Sequence, residues 1–426
     1  MKILVIAHGH PDFSVGGAEL AAYNLYGALK DRTDVSEITF LARTDHTSLA
    51  PGAITLKRPN EYLWRQDMGD WFRLQSSYPN AIYTVFREFL QAKQPDVVFV
   101  HHFANMGIEI LRELRRTLPN AFIALTLHEY LAICQRNGQM VKNGTKRLCY
   151  RESIEDCNLC FPDRSVQDFW LRKHFIQKHF EAADMFISPS EFLRQRYIDW
   201  GIPSDYITVI ENGQPDFSTM TRSEERPQRN RFGFFGQVTE YKGVDLLLEA
   251  MHMMRPQVRR QMLVEIHGAN LEAQGQWLRD LIEKLRTPLI AEGSLRWVGP
   301  YEPQELQRRM SKVDWVVVPS IWWENSPMVI QEAFCSRRPV ICSGIGGMAE
   351  KVRDGVDGLH FRARDPIALA RALQRCIDDR TLLPALSDFP RVPTPEFSAR
   401  EHLEYYADLA ASAASPRQLS DIVPVS

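Results

Sequence analysis

The sequence lacks any long hydrophobic run, and none of its apolar stretches approaches the roughly 20 residues that a membrane-spanning helix needs. It also lacks an excess of charge of either sign, since 51 Lys and Arg face 53 Asp and Glu. That balance argues against nucleic-acid binding, for which a basic excess is expected. Glycine and proline number only 23 and 25 in 426 residues, which excludes collagen-like and low-complexity repeats.

Cysteine is scarce as well, at seven residues. An odd number in so long a chain does not resemble a secreted disulfide scaffold. The apolar N-terminus, residues 1–7, is too short for the hydrophobic region of a signal peptide and is typical of a first β-strand. We therefore expect a cytoplasmic protein, with a peripheral contact to the inner face of the membrane left open.

The dominant pattern is a short apolar strand followed by a segment of helical periodicity. The predicted strands are Lys2–Ala7, Val35–Leu41, Asp96–Val100, Phe122–Leu127, Met185–Ser188, Tyr206–Ile210, Phe232–Phe235, Leu263–His267, Leu295–Val298, Trp315–Val318, Val340–Cys342 and Leu359–Phe361. Continuous apolar strands are typical of a parallel sheet buried on both faces. Their alternation with helices predicts an α/β fold of doubly wound, Rossmann-like domains, with ligands at the carboxyl ends of the strands.

The length predicts two such domains, since an ordinary domain has about 100–200 residues. We expect an N-terminal domain over residues 1–213, a polar linker over 214–230 and a C-terminal domain over 231–392. A last helix, near Phe397–Ala414, and a loose tail would complete residues 393–426. Two similar α/β domains imply a ligand cleft between them.

The most informative stretch lies near the end of the strand Trp315–Val318. Ser326 can cap a helix whose first residue is Pro327, where a missing N–H costs nothing. The free amides of Met328 and Val329 would then point out of a helix N-terminus, which carries a partial positive charge and binds anions such as phosphate.

Two carboxylates flank this helix end. Glu324 lies just before the helix and Glu332 about a turn and a half inside it. A carboxylate placed directly on a phosphate would repel it, so hydroxyl-rich groups are the expected targets of both. The alternative is that both are solvated surface glutamates.

These residues belong to a longer set of motifs. The set comprises Glu324-x7-Glu332, Pro339-Val340, Gly346–Glu350, Phe235–Gly243, His267-Gly268, Trp297–Gly299, Val15–Glu19, Leu127–Glu129, Ser188–Ser190 and Glu211–Gly213. Together they resemble the signature of retaining GT-B glycosyltransferases of glycosyltransferase family four, the "glycosyl transferases group 1" type. The resemblance implies the GT-B fold, in which two Rossmann-like doubly wound domains face each other across a cleft.

The resemblance also implies roles in binding a nucleotide-diphosphate sugar. Glu332 would bind the ribose hydroxyls, and Glu324 would hold the transferred sugar and stabilise its anomeric centre. Lys242 would neutralise the leaving diphosphate with help from the amides of Met328 and Val329. From the residues alone, Lys242 could equally be a surface lysine at a strand-to-helix turn.

In the first domain, the resemblance implies that Gly16 and Gly17 let backbone approach the diphosphate or the acceptor. It places His128 near the sugar or the leaving phosphate. The structural alternatives are a tight glycine turn and a histidine satisfied at a strand end. Further histidines at strand ends that could line the acceptor side are His10, His101 and His102.

This chain departs from the family pattern at two positions. Gln237, after Gly236, stands where the family commonly has arginine, so stabilisation of the diphosphate would be weaker or supplied by another arginine. Glu129 stands where the family usually has aspartate. The resemblance implies a reaction that retains anomeric configuration, needs no protein base and requires no metal or other cofactor.

A cysteine-rich loop spans residues 134–160. Its members are Cys134, Cys149, Cys157 and Cys160. Four thiolates could form a tetrahedral structural zinc site, although only one pair has the Cys-x2-Cys spacing. Another soft metal, isolated thiols and a redox-labile pair are the alternatives. Just beyond, Phe169–Phe180 mixes basic and aromatic residues, which suits either an anionic membrane surface or a packed helix with a solvated basic face.

The leading hypothesis is a hexosyltransferase-type enzyme of bacterial polysaccharide or glycan biosynthesis. It would move a sugar from a nucleotide-diphosphate sugar to a saccharide or lipid-linked acceptor, and no nucleic acid is an expected partner. Two alternatives are another GT-B enzyme acting on sugar phosphates, such as an epimerase or phosphorylase, and a degenerate nucleotide-sugar-binding protein.

Overall fold

The computed structural model of the protein describes residues 1–14, 16–215 and 230–412. Its contacts divide the chain into two compact units, here called unit 1 (Met1–Gly213 with Pro393–Ser426) and unit 2 (Gln214–Val392). Most of the predicted linker and the predicted tail lie outside the described residues.

The described part of unit 1 is built on a mostly parallel sheet. Its strands are β1 (Lys2–Ala7), β2 (Glu37–Thr44), β3 (Ile54–Arg58), β4 (Glu61–Arg65), β5 (Met68–Asp70), β6 (Gln75–Ser76), β7 (Val97–His101), β8 (Phe122–Thr126), β9 (Met185–Ser188) and β10 (Ile207–Val209). The eight-stranded sheet has the order β10-β9-β8-β7-β1-β2-β4-β3, and β5 and β6 form a separate ribbon. All neighbours in the large sheet are parallel except β3, which runs antiparallel to β4.

Helices cover this sheet. They are α1 (Gly17–Lys30), α2 (Pro79–Ala81), α3 (Arg87–Lys93), α4 (Glu109–Thr117), α5 (Ile154–Cys160), α6 (Val166–Phe180) and α7 (Glu191–Trp200), with a π-helical segment at Ile82–Phe86 between α2 and α3. The central strands β1 and β7 are almost fully buried, as the continuous apolar runs predict.

Unit 2 has a six-stranded, wholly parallel sheet within its described residues. Its strands are β11 (Arg231–Gln237), β12 (Leu263–Ala269), β13 (Leu295–Trp297), β14 (Trp315–Val318), β15 (Val340–Ser343) and β16 (Gly358–Phe361). Their order is β13-β12-β11-β14-β15-β16. Val317 packs in one apolar cluster and its neighbours Val316 and Val318 in another, so the sheet is buried on both faces.

The helices of unit 2 alternate with these strands. They are α8 (Val244–Met253), α9 (Pro256–Arg259), α10 (Gln276–Glu292), α11 (Leu306–Met310), α12 (Met328–Cys335), α13 (Gly346–Lys351), α14 (Pro366–Asp378) and α15 (Leu382–Ala385). Every predicted strand is present in the two units, with ends displaced by at most about three residues.

The last helix, α16 (Pro395–Ser412), returns to unit 1. Ala399 and Leu403 join the unit 1 core. Ser398 Oγ donates a hydrogen bond to the backbone oxygen of Glu211 at 3.0 Å. The chain therefore leaves the first unit, forms the second and then completes the first with its C-terminal helix. Among the described residues, no helix is both long and apolar enough to cross a bilayer.

Candidate active site

The site in unit 2 lies at the carboxyl ends of β11 and β14. These two strands are neighbours in the middle of the sheet, yet the chain proceeds from β11 toward one edge and from β14 toward the other. Loops that diverge in this way open a crevice at the switch point of a doubly wound sheet. The loop after β11 ends at Lys242 and Gly243, and the loop after β14 passes through Glu324 to α12.

Lys242 and Glu324 form an ion pair there, with 2.7 Å between Nζ and Oε1. The same oxygen accepts hydrogen bonds from Ser320 Oγ at 2.7 Å and from Trp322 Nε1 at 3.0 Å. None of the described residues hydrogen-bonds to Oε2. Glu324 is only 6% exposed. Burial raises its pKa, but the charge of Lys242 and the three hydrogen bonds outweigh burial and leave the pKa lowered.

The backbone fixes the two loops against each other. Gly243 has a φ of +70°, and a Cβ atom at this position would collide with the carbonyl oxygen of Pro319. Nearby, the amide of Ile321 donates a hydrogen bond to the backbone oxygen of Tyr241 at 2.9 Å. Only glycine satisfies both the left-handed conformation and the close approach.

Helix α12 begins one residue later than the sequence predicts. Pro327 is its N-cap and Met328 its first residue, so the expected cap by Ser326 is wrong. The buried Oγ of Ser326 has no hydrogen-bond partner among the described residues. The first amides of α12, those of Met328 and Val329, cannot bond within the helix. The end of the helix thus presents a partial positive charge next to an unsatisfied hydroxyl.

Glu332 lies on α12 and is half-buried. No described residue pairs with its carboxylate, and burial raises its pKa to about 7. Burial and, secondly, the charge of Glu332 raise the pKa of Tyr301. Tyr301 packs edge-on against Phe235, on which His267 stacks with 4.5 Å between ring centroids. Sequence reasoning missed Tyr301, although it follows the Trp297–Gly299 motif closely.

Gly236 and Gln237 end β11 beside this site. The side chain of Gln237 is exposed and makes no hydrogen bond within the described part of the chain. It is therefore available to a ligand as a neutral donor, and it brings no charge.

The sheet of unit 1 has a switch point of its own between the neighbouring strands β1 and β7. The histidines of unit 1 lie at the carboxyl ends of strands near this point. His101 ends β7 and His128 follows β8, with 3.2 Å between His101 Nδ1 and His128 Nε2. Burial lowers the pKa of His101 to about 3 and that of His128 well below its usual value. Both rings are therefore neutral at pH 7. His10 instead lies 3.1 Å from the buried carboxylate of Glu61.

The side chain of His102 pairs with that of Glu129. Its Nδ1 accepts hydrogen bonds from the amides of Phe103 and Ala104, at 3.0 and 2.9 Å. The ring proton is then on Nε2, which lies 3.0 Å from Oε1 of Glu129. The φ of His102 is +96°, a conformation that costs a non-glycine residue about 1–3 kcal/mol. The longer side chain of Glu129 thus has a fixed partner.

Family sequence models match both units. The model described as Glycosyltransferase Family 4 matches residues 15–214, and the model described as Glycosyl transferases group 1 matches residues 229–379. The chain is a family 4 glycosyltransferase. The first match includes His128, and the second includes Lys242, Glu324 and Glu332.

Several curated proteins resemble parts of this glycosyltransferase. A D-inositol 3-phosphate glycosyltransferase of Geodermatophilus obscurus is 30% identical over 221 residues, which are 48% of each chain. An uncharacterised glycosyltransferase of Methanocaldococcus jannaschii is 28% identical over 190 residues, 42% of this chain and 46% of that protein. The chain spans about half the length of the curated relatives it matches.

Solved structures identify the fold as GT-B, with two Rossmann-like α/β domains. Sucrose-phosphate synthase from Thermosynechococcus elongatus aligns over 97% of this glycosyltransferase and 100% of that chain, with a TM-score of 0.71 and 17% identity. Anabaena HepE in complex with UDP-glucose aligns over 97% and 100%, with a TM-score of 0.61 and 16% identity. Both identities are low, so these structures establish the fold alone.

In the glycine loop of this glycosyltransferase, the side chain of Glu19 occupies the space beside Gly16. Helix α1 begins at Gly17 with Gly16 as its N-cap, and Val15 lies outside the described residues. A Cβ atom at Gly16 would collide with the carboxylate of Glu19, which is buried and accepts a hydrogen bond from Ser14 Oγ at 2.7 Å. Approach of this loop to a diphosphate or an acceptor stays a prediction.

The cysteine-rich loop carries four half-buried cysteines, none of which is in a disulfide. They are Cys134, Cys149, Cys157 and Cys160. Burial, Glu152 and the thiols of Cys134 and Cys149 raise the pKa of Cys157 to about 12. No group of three or more His, Cys, Asp or Glu side chains in the described ranges is arranged to hold a metal ion. Zinc binding would therefore require these thiols to draw together, and it stays a prediction.

Proposed function

We propose that this family 4 glycosyltransferase moves a sugar, with retention of anomeric configuration, from a nucleotide-diphosphate sugar to a saccharide or lipid-linked saccharide. We assign it to bacterial polysaccharide or glycan biosynthesis. The observation that carries the proposal is the pairing of Lys242 with Glu324 at the switch point of unit 2. A cation and a buried acceptor stand there beside the open amides of α12.

The diphosphate of the donor would bind at α12. The amides of Met328 and Val329, the unsatisfied hydroxyl of Ser326 and the ammonium of Lys242 are all donors suited to phosphate oxygens. Because these groups are already in place, they would stabilise the negative charge that develops on the leaving diphosphate without reorganisation. They supply this charge without a metal. The complex of Anabaena HepE with UDP-glucose supports a nucleotide sugar as the donor.

The two carboxylates would bind hydroxyl groups. Glu332, which lacks a partner among the described residues, would accept hydrogen bonds from the ribose. Glu324 would offer its free Oε2 to the hydroxyls of the transferred sugar, and its negative charge would favour the cationic character that grows at the anomeric carbon.

The reaction then balances without a protein base. The bond between the anomeric carbon and the diphosphate oxygen breaks, and the bond to the acceptor oxygen forms on the same face of the sugar. The acceptor proton passes to the departing phosphate oxygen. His128, which is neutral, would orient the sugar or the leaving phosphate by hydrogen bonding.

The test uses Lys242→Ala and Glu324→Ala, with the exposed Lys284→Ala as the control. Turnover is measured with whichever of a panel of UDP-, GDP- and ADP-sugars supports it. We expect each site variant to lose about 100- to 1000-fold in kcat, while the control keeps full turnover. NMR of the product reports the anomeric configuration. Full turnover in a folded site variant, or an inverted product, would overturn the proposal.

The same assay separates the alternatives. A transferase releases nucleoside diphosphate at a rate that rises with acceptor concentration. An epimerase or phosphorylase would convert its sugar phosphate without that dependence. A degenerate binding protein would bind a nucleotide sugar and release nothing.

We further propose that α6 contacts an anionic membrane carrying the lipid-linked acceptor. One face of α6 packs in unit 1 through Phe169 and Ile176, as the packed-helix alternative predicts. The other face exposes Trp170 and Leu171, at 48% and 50%, with Lys178 on the following turns. Aromatic and basic residues on one helix face suit the interface of an anionic bilayer.

Helix α4 adds charge to this surface. Residues of both helices line a cavity of about 590 Å³, with Arg112, Arg116 and Lys178 beside three glutamates, one of which, Glu181, pairs with Lys178 at 2.6 Å. Neither arginine pairs with an acidic residue among those described. Co-sedimentation with phosphatidylglycerol vesicles should weaken about 10- to 30-fold in the double variant Arg112→Gln/Arg116→Gln. Equal binding of wild type and variant, or equal binding to phosphatidylcholine vesicles, would contradict the membrane contact.

A further inference from the structure

The donors that surround Glu324 differ in kind. Lys242 carries a charge, and its side chain is 33% exposed, so it can be drawn toward another anion. Ser320 is only 1% exposed, and Trp322 packs against the ring of Tyr241 with 6.1 Å between centroids. Both are neutral, and both donate to the oxygen that Lys242 also binds.

We infer that Ser320 and Trp322 are positioning residues that keep Glu324 oriented once the donor diphosphate has drawn Lys242 away. The inference rests on the proposed function and extends it. A diphosphate competes strongly for an ammonium group. It competes far less for a buried hydroxyl or indole N–H whose hydrogen bond is already made. The two neutral donors therefore hold Oε1 in the donor complex.

The arrangement of these donors also determines which carboxylate oxygen of Glu324 is open to the sugar. Oε1 accepts from all three donors and Oε2 from none of the described residues, so the carboxylate has one occupied and one open side. If the neutral donors were lost, the carboxylate could rotate. Glu324 would also be a poorly compensated buried charge whenever Lys242 binds phosphate. Such a charge favours the protonated form of the Glu324 carboxyl group.

The experiment compares Trp322→Phe, Ser320→Ala and the double variant with wild type. Trp322→Phe keeps an aromatic ring but removes the N–H donor and part of the indole. Trp277→Phe, the same change at an exposed position in the same unit, is the control. Steady-state kinetics are measured across pH with the active nucleotide sugar. Circular dichroism and nucleoside diphosphate binding check the fold of each variant.

We expect kcat to fall about 10- to 100-fold in the double variant, the effect of losing hydrogen bonds to a charged group, with a smaller change in donor KM. The acid limb of the kcat profile should move to higher pH, because Glu324 would protonate more readily. Trp277→Phe should match wild type.

Two outcomes overturn the inference. One is wild-type kcat and pH profile in the double variant. The other is lost activity with an unmoved acid limb, which would indicate a merely structural role. Glu324→Ala separates this failure from failure of the proposed function. If Glu324→Ala is inactive, the proposed function survives either outcome, whereas an active Glu324→Ala refutes the proposed function itself.

Discussion

Glu332→Gln should stabilise the donor-free protein and weaken donor binding at the same time. The carboxylate is half-buried, and no described residue pairs with it, so burial raises its pKa from 4.5 to about 7. Between these values the folded protein binds more protons than the unfolded chain. The contribution of Glu332 to stability is therefore fully present below pH 4.5 and is lost as the pH rises through 7.

The magnitude follows from the size of the pKa shift. One pKa unit corresponds to about 1.4 kcal/mol, and most of the shift is expressed between pH 5 and pH 8. Glu332→Gln removes the titration, so its stability relative to wild type should rise by about 2–3 kcal/mol over that interval. Part of the gain at pH 8 is offset, because the amide that replaces the carboxylate is half-buried too.

The assay is urea denaturation of both proteins at pH 5 and pH 8, with and without the nucleoside diphosphate of the active donor. Glu272→Gln, an exposed carboxylate in the same unit, is the matched control and should show no pH-dependent gain. Donor binding should weaken in Glu332→Gln because a neutral amide is a poorer acceptor for the ribose hydroxyls.

Two results would refute this reasoning. If the stability difference between variant and wild type is the same at both pH values, burial does not raise the pKa of Glu332. If the nucleotide protects variant and wild type equally at pH 8, the carboxylate does not contact the donor.

Three further predictions address other parts of the molecule. Burial lowers the pKa of His402 to about 4, so the stability that His402 contributes is present above pH 6.5 and is lost as the pH falls. Between pH 7 and pH 5, the free energy of unfolding measured in urea should therefore fall by about 2 kcal/mol less in His402→Phe than in wild type. Gly243→Ala should cost about 1–3 kcal/mol in the same assay and lower kcat, and unchanged kcat would show that the loop tolerates Cβ. Elemental analysis decides between zinc and isolated thiols in the cysteine-rich loop: about one zinc per chain in wild type with little in Cys157→Ser would establish a structural site, and zinc-free wild type would exclude it.

Twelve of the fourteen strands of the two large sheets could be predicted, because the burial of each is visible in its own short stretch of sequence. A strand covered on both faces needs an unbroken apolar run, such as the one that forms β7, and a single run is sufficient to recognise it. The hairpin of β3 and β4 lies at the sheet edge, and β3 is partly exposed along its length. Its sequence, Ile54–Arg58, mixes apolar with charged residues, so it carries no comparable signal and was missed.

The helix that carries Glu332 was predicted from its sequence, but its boundary was wrong by one residue. Ser326 and Pro327 are individually good residues for an N-cap and a first helical position. The chain instead enters the helix with Pro327 extended, at φ −65° and ψ 111°. The path of the loop from β14 decides between these two starts, and this path depends on tertiary contacts such as the close approach of Gly243 to Pro319.

The ion pair of Lys242 with Glu324 could not be predicted from local sequence. Each residue could be singled out by its place after a strand, but they lie 82 positions apart in the chain. They meet because β14 adds to the sheet beside β11 and not beside β13, which is a property of strand order. Strand order also explains the chemistry of the site. A buried carboxylate alone would favour its protonated form, whereas the charge of Lys242 keeps the pKa of Glu324 low. In the proposed function, a diphosphate would compete with Glu324 for that ammonium group.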